Sequence, residues 1–130
     1  MKRVTGIGGI FIKSADPAKL REWYKTHLGI PVEEWGGAAF QWAGPHNPDG
    51  HGTTVWNIFD ATSNYFSPSG ARFMLNYRVD KLHPLLAALR AEGCQVEDKV
   101  DESEYGKFGW VRDPEGNRVE LWEPPPGKPA

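Results

Sequence analysis

Apolar and polar positions alternate over residues 4–13, with Ile10 and Ile12 on one side and Gly9, Phe11 and Lys13 on the other. That two-residue period predicts a strand. The period then lengthens. Leu20, Trp23, Tyr24 and Leu28 fall on one helical stripe, which Asp16-Pro17 opens and Gly29 and Pro31 stop. Strands are predicted at 32–35, 38–42 and 53–59, with GPHNPDGHG at 44–52 reading as a loop. After an irregular stretch at 64–70 the order begins again. Phe73, Leu75, Tyr77 and Val79 alternate with Met74, Asn76 and Arg78, and Leu82, Leu85, Leu86 and Leu89 form a second helical stripe. Pro84 falls in the first turn of that helix, where a missing amide costs little. Strands at 94–100, 106–112 and 118–122 complete the chain. The last two form a hairpin around Asp113-Pro114-Glu115-Gly116, a sequence suited to a type I turn. Its one face carries Val111, Val119 and Leu121, and its other face carries Trp110, Arg112, Arg118, Glu120 and Trp122.

This order is a βαβββ unit used twice, over about 4–60 and 72–124, in a single α+β domain spanning 1–130 with 125–130 as a flexible tail. Each unit has one helix to cover one face of its strands. The sister unit must cover the other face, so curved mixed sheets are expected to enclose a cleft. Pairing GTTVWNIFD with GNRVELWEP sets Trp56 opposite Glu120.

Composition narrows the partners. The chain has 130 residues and a net charge of -2, without the clustered Lys and Arg that phosphate backbones require. No nucleic acid is expected. No apolar run approaches the roughly 20 residues of a membrane span, so no membrane is expected either. A lone cysteine, Cys94, excludes an internal disulfide and fits a reducing cytoplasm. Following a helix stop and entering a strand, it reads as buried and inert. Gly8-Gly9 lies inside a strand, without the spacing of a phosphate loop. Six Trp, six Phe and four Tyr are more aromatics than one packing layer needs.

The paired βαβββ order, the helix in DPAKLREWYKTHLGI and the ending YGKFGWVRDPEGNRVELWEP together resemble the vicinal oxygen chelate family of glyoxalases, bleomycin-resistance proteins and extradiol dioxygenases. The resemblance implies homodimerisation and, in the metalloenzymes, a divalent metal. Their ligands are usually a His on the first strand, a His on the first strand of the second half and a Glu on the last strand, with a fourth ligand in some members on the last strand of the first half. At those positions this chain has Gly9, Met74, Glu120 and Trp56. Only Glu120 matches, and one carboxylate is too few donors for a catalytic metal. No cofactor is therefore predicted, and a divalent metal is disfavoured. A loop site of His46, His51 and Asp49 is conceivable. His27 and His83 sit at helix ends.

By strand parity Phe11, Trp56, Phe108, Trp110 and Trp122 lie opposite the helix-packing residues, together with Asn76, Arg78, Arg112 and Glu120. These residues are expected to line a cleft for a planar or aromatic small molecule, with Asn76, Arg78 and Arg112 orienting a polar or anionic group. The resemblance then reads as a metal-independent binding protein of the glyoxalase/bleomycin-resistance type. The alternative is a lyase or isomerase in which Glu120 serves as base or metal ligand. A third reading is a module whose interior is filled by its own side chains.

Overall fold

Two helices pack on one face of a seven-stranded mixed sheet and leave the other face to a cleft. The structure, a computed structural model, describes residues 3–44 and 48–126. The elements run β1 (Val4–Ser14), α1 (Pro17–Leu28), β2 (Gly37–Gln41), β3 (Thr53–Asp60), β4 (Phe73–Val79), α2 (Leu82–Ala91), β5 (Gln95–Ser103), β6 (Gly106–Arg112) and β7 (Arg118–Glu123). Strand order is β2-β3-β1-β4-β7-β6-β5. The two halves therefore join edge to edge through the antiparallel pair β1·β4, in one continuous sheet rather than two facing ones.

Helix α1 begins where Asp16 accepts a hydrogen bond from the Lys19 amide. It ends at Gly29, whose φ of 66° is the left-handed conformation glycine adopts without steric cost. Its Leu20 and Tyr24 pack with Ile30 and Val32 on Ala38, Trp56 and Ile58. Trp23 and Leu28, on the predicted stripe, stay exposed. Helix α2 seats Leu82, Leu85 and Leu86 on Val79, Leu121, Val111 and Val119. That contact confirms the predicted packing face of the last hairpin. Glu123 Oε1 accepts the Leu82 amide at 2.8 Å, tying the start of α2 to β7.

The α+β class and its repeated order hold, with one strand fewer than expected. Residues 32–35 form no strand. Pro31 lacks an amide, Val32 turns under α1, and Gly36 at φ 97° ends a tight turn in which its amide bonds Glu33 O. Two adjacent carboxylates at Glu33 and Glu34 also break the alternation a sheet edge needs. Cys94 is exposed rather than buried. It follows the turn at Gly93 and precedes β5, so no neighbouring layer covers it. Among the described residues no helix is long and apolar enough to cross a membrane.

Candidate functional site

The four central strands, β3, β1, β4 and β7, meet at one level. Gly9 pairs with Val55 on one side and Asn76 on the other, and Asn76 pairs with Glu120. Residues paired side by side share a face. Val55 is therefore the counterpart of Glu120, and Asn76 that of Gly9. Two sequence-based pairings are corrected by this register. Trp56 sits one residue off, and a one-residue slip reverses the face. Its side chain is buried under α1 against Tyr24 at 5.2 Å between ring centroids, away from the cleft. Met74 lies two residues off, beside Phe11, inside a cluster with Phe66 and Trp110.

A cavity of about 500 Å³ opens on this face. Phe11, Val55, Asn57 and Phe59 come from the first half, Asn76, Phe108, Glu120 and Trp122 from the second. Tyr65 comes from the connection between the halves, and Glu104 and Tyr105 from the β5–β6 turn. The interior is thus not filled by its own side chains, and the volume lies in the range of small-molecule sites. Phe108 and Trp122 stack at 6.0 Å with an interplanar angle of 8°. Trp122 Nε1 donates to Tyr105 O at 2.9 Å, fixing the turn against that wall.

Glu120 forms the polar floor at 1% exposure. Tyr65 Oη and Trp110 Nε1 (3.0 Å) both donate to its Oε2, and Asn76 Nδ2 donates to Oε1 at 2.6 Å. Burial pushes the carboxyl above its ordinary value, and the three donors offset that only in part. The Tyr65 phenol is likewise raised, first by burial and then by the neighbouring carboxylate. Behind this group Arg118 makes paired 2.8 Å bonds to Glu97, donates to the carbonyl of Tyr65 and lies 4.5 Å over the Trp110 ring. It holds the connecting segment in place, and its hydrogen bonds keep the Glu97 carboxyl low.

Of the predicted site residues, the structure brings together Phe11, Asn76, Phe108, Trp122 and Glu120 at the cavity. Trp110 stands behind Glu120 as a fully buried donor and not as a wall. Arg78 stacks over Trp42 and faces a separate hollow of about 430 Å³ with His51 and Glu123. Arg112 faces a third hollow, with Gln95 and Asp98. Arg78, level with Trp122 on the neighbouring strand, packs at the cavity's edge against Gly8 and over the Trp122 ring at 5.9 Å, whereas Arg112 is not among the lining residues. The lining residues missed were Gly8, Val55, Asn57, Phe59, Tyr65, Glu104, Tyr105 and Pro125. For Tyr65 a signal existed: two adjacent aromatics, Tyr65-Phe66, inside a Ser/Pro-rich connection.

The donors at the level where the resemblance places a metal do not fit one. Glycine and valine offer no ligating side chain, and a carboxamide joins the single carboxylate. The Phe11 ring also occupies the space of any side chain at position 9, since a Cβ there would meet Phe11 Cζ at 2.8 Å. Among the described residues no group of three or more His, Cys, Asp or Glu is placed to hold a metal. Of the suggested loop site, His46 lies outside the described residues.

Comparisons agree with this architecture. The sequence model of the glyoxalase-like domain matches residues 9–122. No curated protein sequence matches the chain. Among solved structures, the methylmalonyl-CoA epimerase of Mycobacterium tuberculosis superposes with a TM-score of 0.67 at 21% identity, covering 97% of this chain and 92% of the epimerase. A methylmalonyl-CoA epimerase in complex with methylmalonyl-CoA and NH4+ gives 0.72 at 16% identity, with 96% and 98% covered. A glyoxalase/bleomycin resistance protein/dioxygenase superfamily member from Vibrio splendidus 12B01 gives 0.56 at 14%, with 90% and 97% covered. At these identities the likeness is one of fold.

Proposed function

The chain belongs to the glyoxalase-like domain family, and from that premise we propose that it is a small-molecule binding protein that works without the family's metal. One observation carries this reading. At the level of the central strands, where metalloenzyme relatives place their ligands, stand Gly9, Val55, Asn76 and a Glu120 already engaged by three donors. Around them the walls are apolar and aromatic, with few polar groups to orient a ligand. Such walls favour a flat, largely apolar compound. The polar groups of the lining include Glu104 and Glu120, with Arg78 at its edge over Trp122. Homodimerisation belongs to the same proposal, and light scattering should give twice the chain mass.

The test is a thermal-shift and tryptophan-fluorescence screen of the untagged protein against flat aromatic compounds. Ligands should raise Tm and quench the Trp122 wall, since binding to the native state stabilises it. A broad panel that changes neither signal overturns the reading. Metal analysis of the same preparation should find substoichiometric Zn, Ni, Mn and Fe.

A second reading, an isomerase or epimerase, is supported by the raised carboxyl of Glu120 at the floor of an apolar cavity, a setting that suits proton abstraction next to a carbonyl. Two structural relatives are methylmalonyl-CoA epimerases. Against a coenzyme A thioester stands the lack of basic residues in the described lining. Deuterium exchange at the α-carbon of methylmalonyl-CoA, abolished in Glu120→Gln, would establish this reading. Exchange no faster than in buffer would dismiss it.

A further inference from the structure

The two helices leave part of the sheet's back uncovered. Helix α1 is centred over β3 and α2 over β6, with β1, β4 and β7 between them in the strand order. Four strand spacings set the helix axes about 19 Å apart. That is room for one further helix, since packed helices lie about 8–10 Å apart. No described element covers the strip between them. Its floor is apolar. Ile10 pairs with Leu75 on one side and with Trp56 on the other, so all three share the face that α1 covers at Trp56. Ile12 and Phe73 follow two residues on, and Ile7 pairs with Tyr77, which pairs with the Leu121 that α2 covers. Ile7, Ile10 and Phe73 are 44%, 37% and 55% exposed, although β1 and β4 are central strands. On α1, Arg21 donates to Gly36 O and Ile58 O at the β2 side. Trp23 lies on the opposite flank, toward the groove, and is 50% exposed.

Helix α2 has the surface that fits such a groove. Its inner face is Leu82, Leu85 and Leu86, and its outer face is Pro84, Ala87 and Ala91, small, apolar and exposed. A helix that is apolar on both sides belongs between two layers. The outer face of α1 instead carries Lys19, Glu22 and Thr26. We propose that the groove receives helix α2 of a second copy of this chain, while its own α2 enters the partner's groove. A two-fold axis along the central strands makes the exchange reciprocal, with four helices in one layer and small side chains seated on a bulky floor. The exposed parts of these residues come to about 700 Å² a copy, near the roughly 800 Å² that each partner gives to a standard interface and above what single chains commonly leave open. The inference rests on the homodimer reading above and names the face that forms it. Both clefts then face outward, each complete within one chain.

Hydroxyl-radical footprinting of the full-length wild-type protein, with light scattering on the same samples, tests the face without any substitution. Trp23 and Trp35 are 50% and 51% exposed in the single chain, so they form a matched pair inside and outside the groove. In the dimer Trp23 should label several-fold less than Trp35, and Ile7, Ile10 and Phe73 should be protected with it. Ile10→Lys sets an unpaired charge in the groove of each copy and should weaken association by about 100-fold or more, with near-UV circular dichroism unchanged. Trp35→Ser should stay dimeric. A dimer in which Trp23 labels as freely as Trp35 overturns this inference and leaves homodimerisation intact, as does a folded Ile10→Lys that associates as tightly as the wild type. A wild-type chain that stays monomeric at every concentration overturns both. Should Ile10→Lys fail to fold, the wild-type footprint decides alone.

Discussion

At the scale of single residues, the buried carboxyl of Glu120 links protonation to folding. Its folded-state pKa is raised above the ordinary 4.5, chiefly by burial. The folded protein therefore holds the proton over a pH range in which the unfolded chain has lost it. The associated stability is present in full below about 4.5 and declines as pH rises through the raised value. Glu120→Gln should remove this decline. The Gln carbonyl can accept from Tyr65 and Trp110 while its amide faces a turned Asn76 carboxamide. Denaturant melts of both proteins from pH 4 to 8 should show the wild type losing stability relative to the variant as pH rises. Arg118 and Tyr65, the other titratable groups near this carboxyl, are common to both proteins, and so is Glu97, whose lowered pKa has the opposite sign. A parallel pair of curves would contradict the assigned burial. Strand parity alone places Glu120, Asn76, Phe11, Phe108 and Trp122 on the cleft face. It fails at Trp56 because Val55-Trp56-Asn57-Ile58 carries apolar residues at both parities, so the segment has no marked face of its own.

At the scale of elements, the connection over residues 61–72 sends Tyr65 and Phe66 into the core while most of its other residues stay exposed. Phe66 is fully buried, Tyr65 reaches Glu120, and Ser67 and Ser69 amides close turns on Asn64 and Phe66. Arg118 is its outer clamp. Arg118→Ala should cost about 2 kcal/mol, the size of charge-assisted hydrogen bonds lost from a half-buried site. Amide exchange should quicken over 61–72 more than in α1 or α2. Uniform exchange changes would mean that the clamp acts on the whole fold and not on this segment. A Ser- and Pro-containing connection gives no periodic signal, so its packing was invisible to the hydrophobic pattern, whereas the hairpin of β6 and β7 was fully legible from alternation and turn residues. The strand expected at 32–35 failed for a local reason: two apolar ends around two adjacent glutamates fit neither period.

At the scale of the whole molecule, the sheet divides labour between its faces. Trp56 and Trp122 test this division, being similar in size and both nearly buried, on opposite sides. Trp56→Ala should destabilise by about 3–5 kcal/mol as a core truncation and leave ligand affinity unchanged while the protein is folded. Trp122→Ala should weaken aromatic ligands. Loss of binding in the first variant, with stability retained, would place the cleft on the wrong face. The sheet's own repeat was readable because each half restarts the same period sequence. The exact pairing across the halves was not, since only backbone register shows that Val55 and Asn76, rather than Trp56 and Met74, stand level with Glu120.

The same connection that joins the halves has a consequence for how they can be separated. Residues 61–72 leave the first half covalently and bridge both halves: Tyr65 stacks on Phe59 at 5.4 Å while its hydroxyl reaches Glu120 and its carbonyl accepts from Arg118. The tandem copies are therefore not interchangeable parts. A fragment ending at Asp60 and one beginning at Phe73 would each contain a complete unit by sequence order, yet mixing them would rebuild the sheet without Tyr65, a donor to the Glu120 floor, and without the buried Phe66. Complementation should restore ligand binding only when one of the two fragments carries Tyr65 and Phe66.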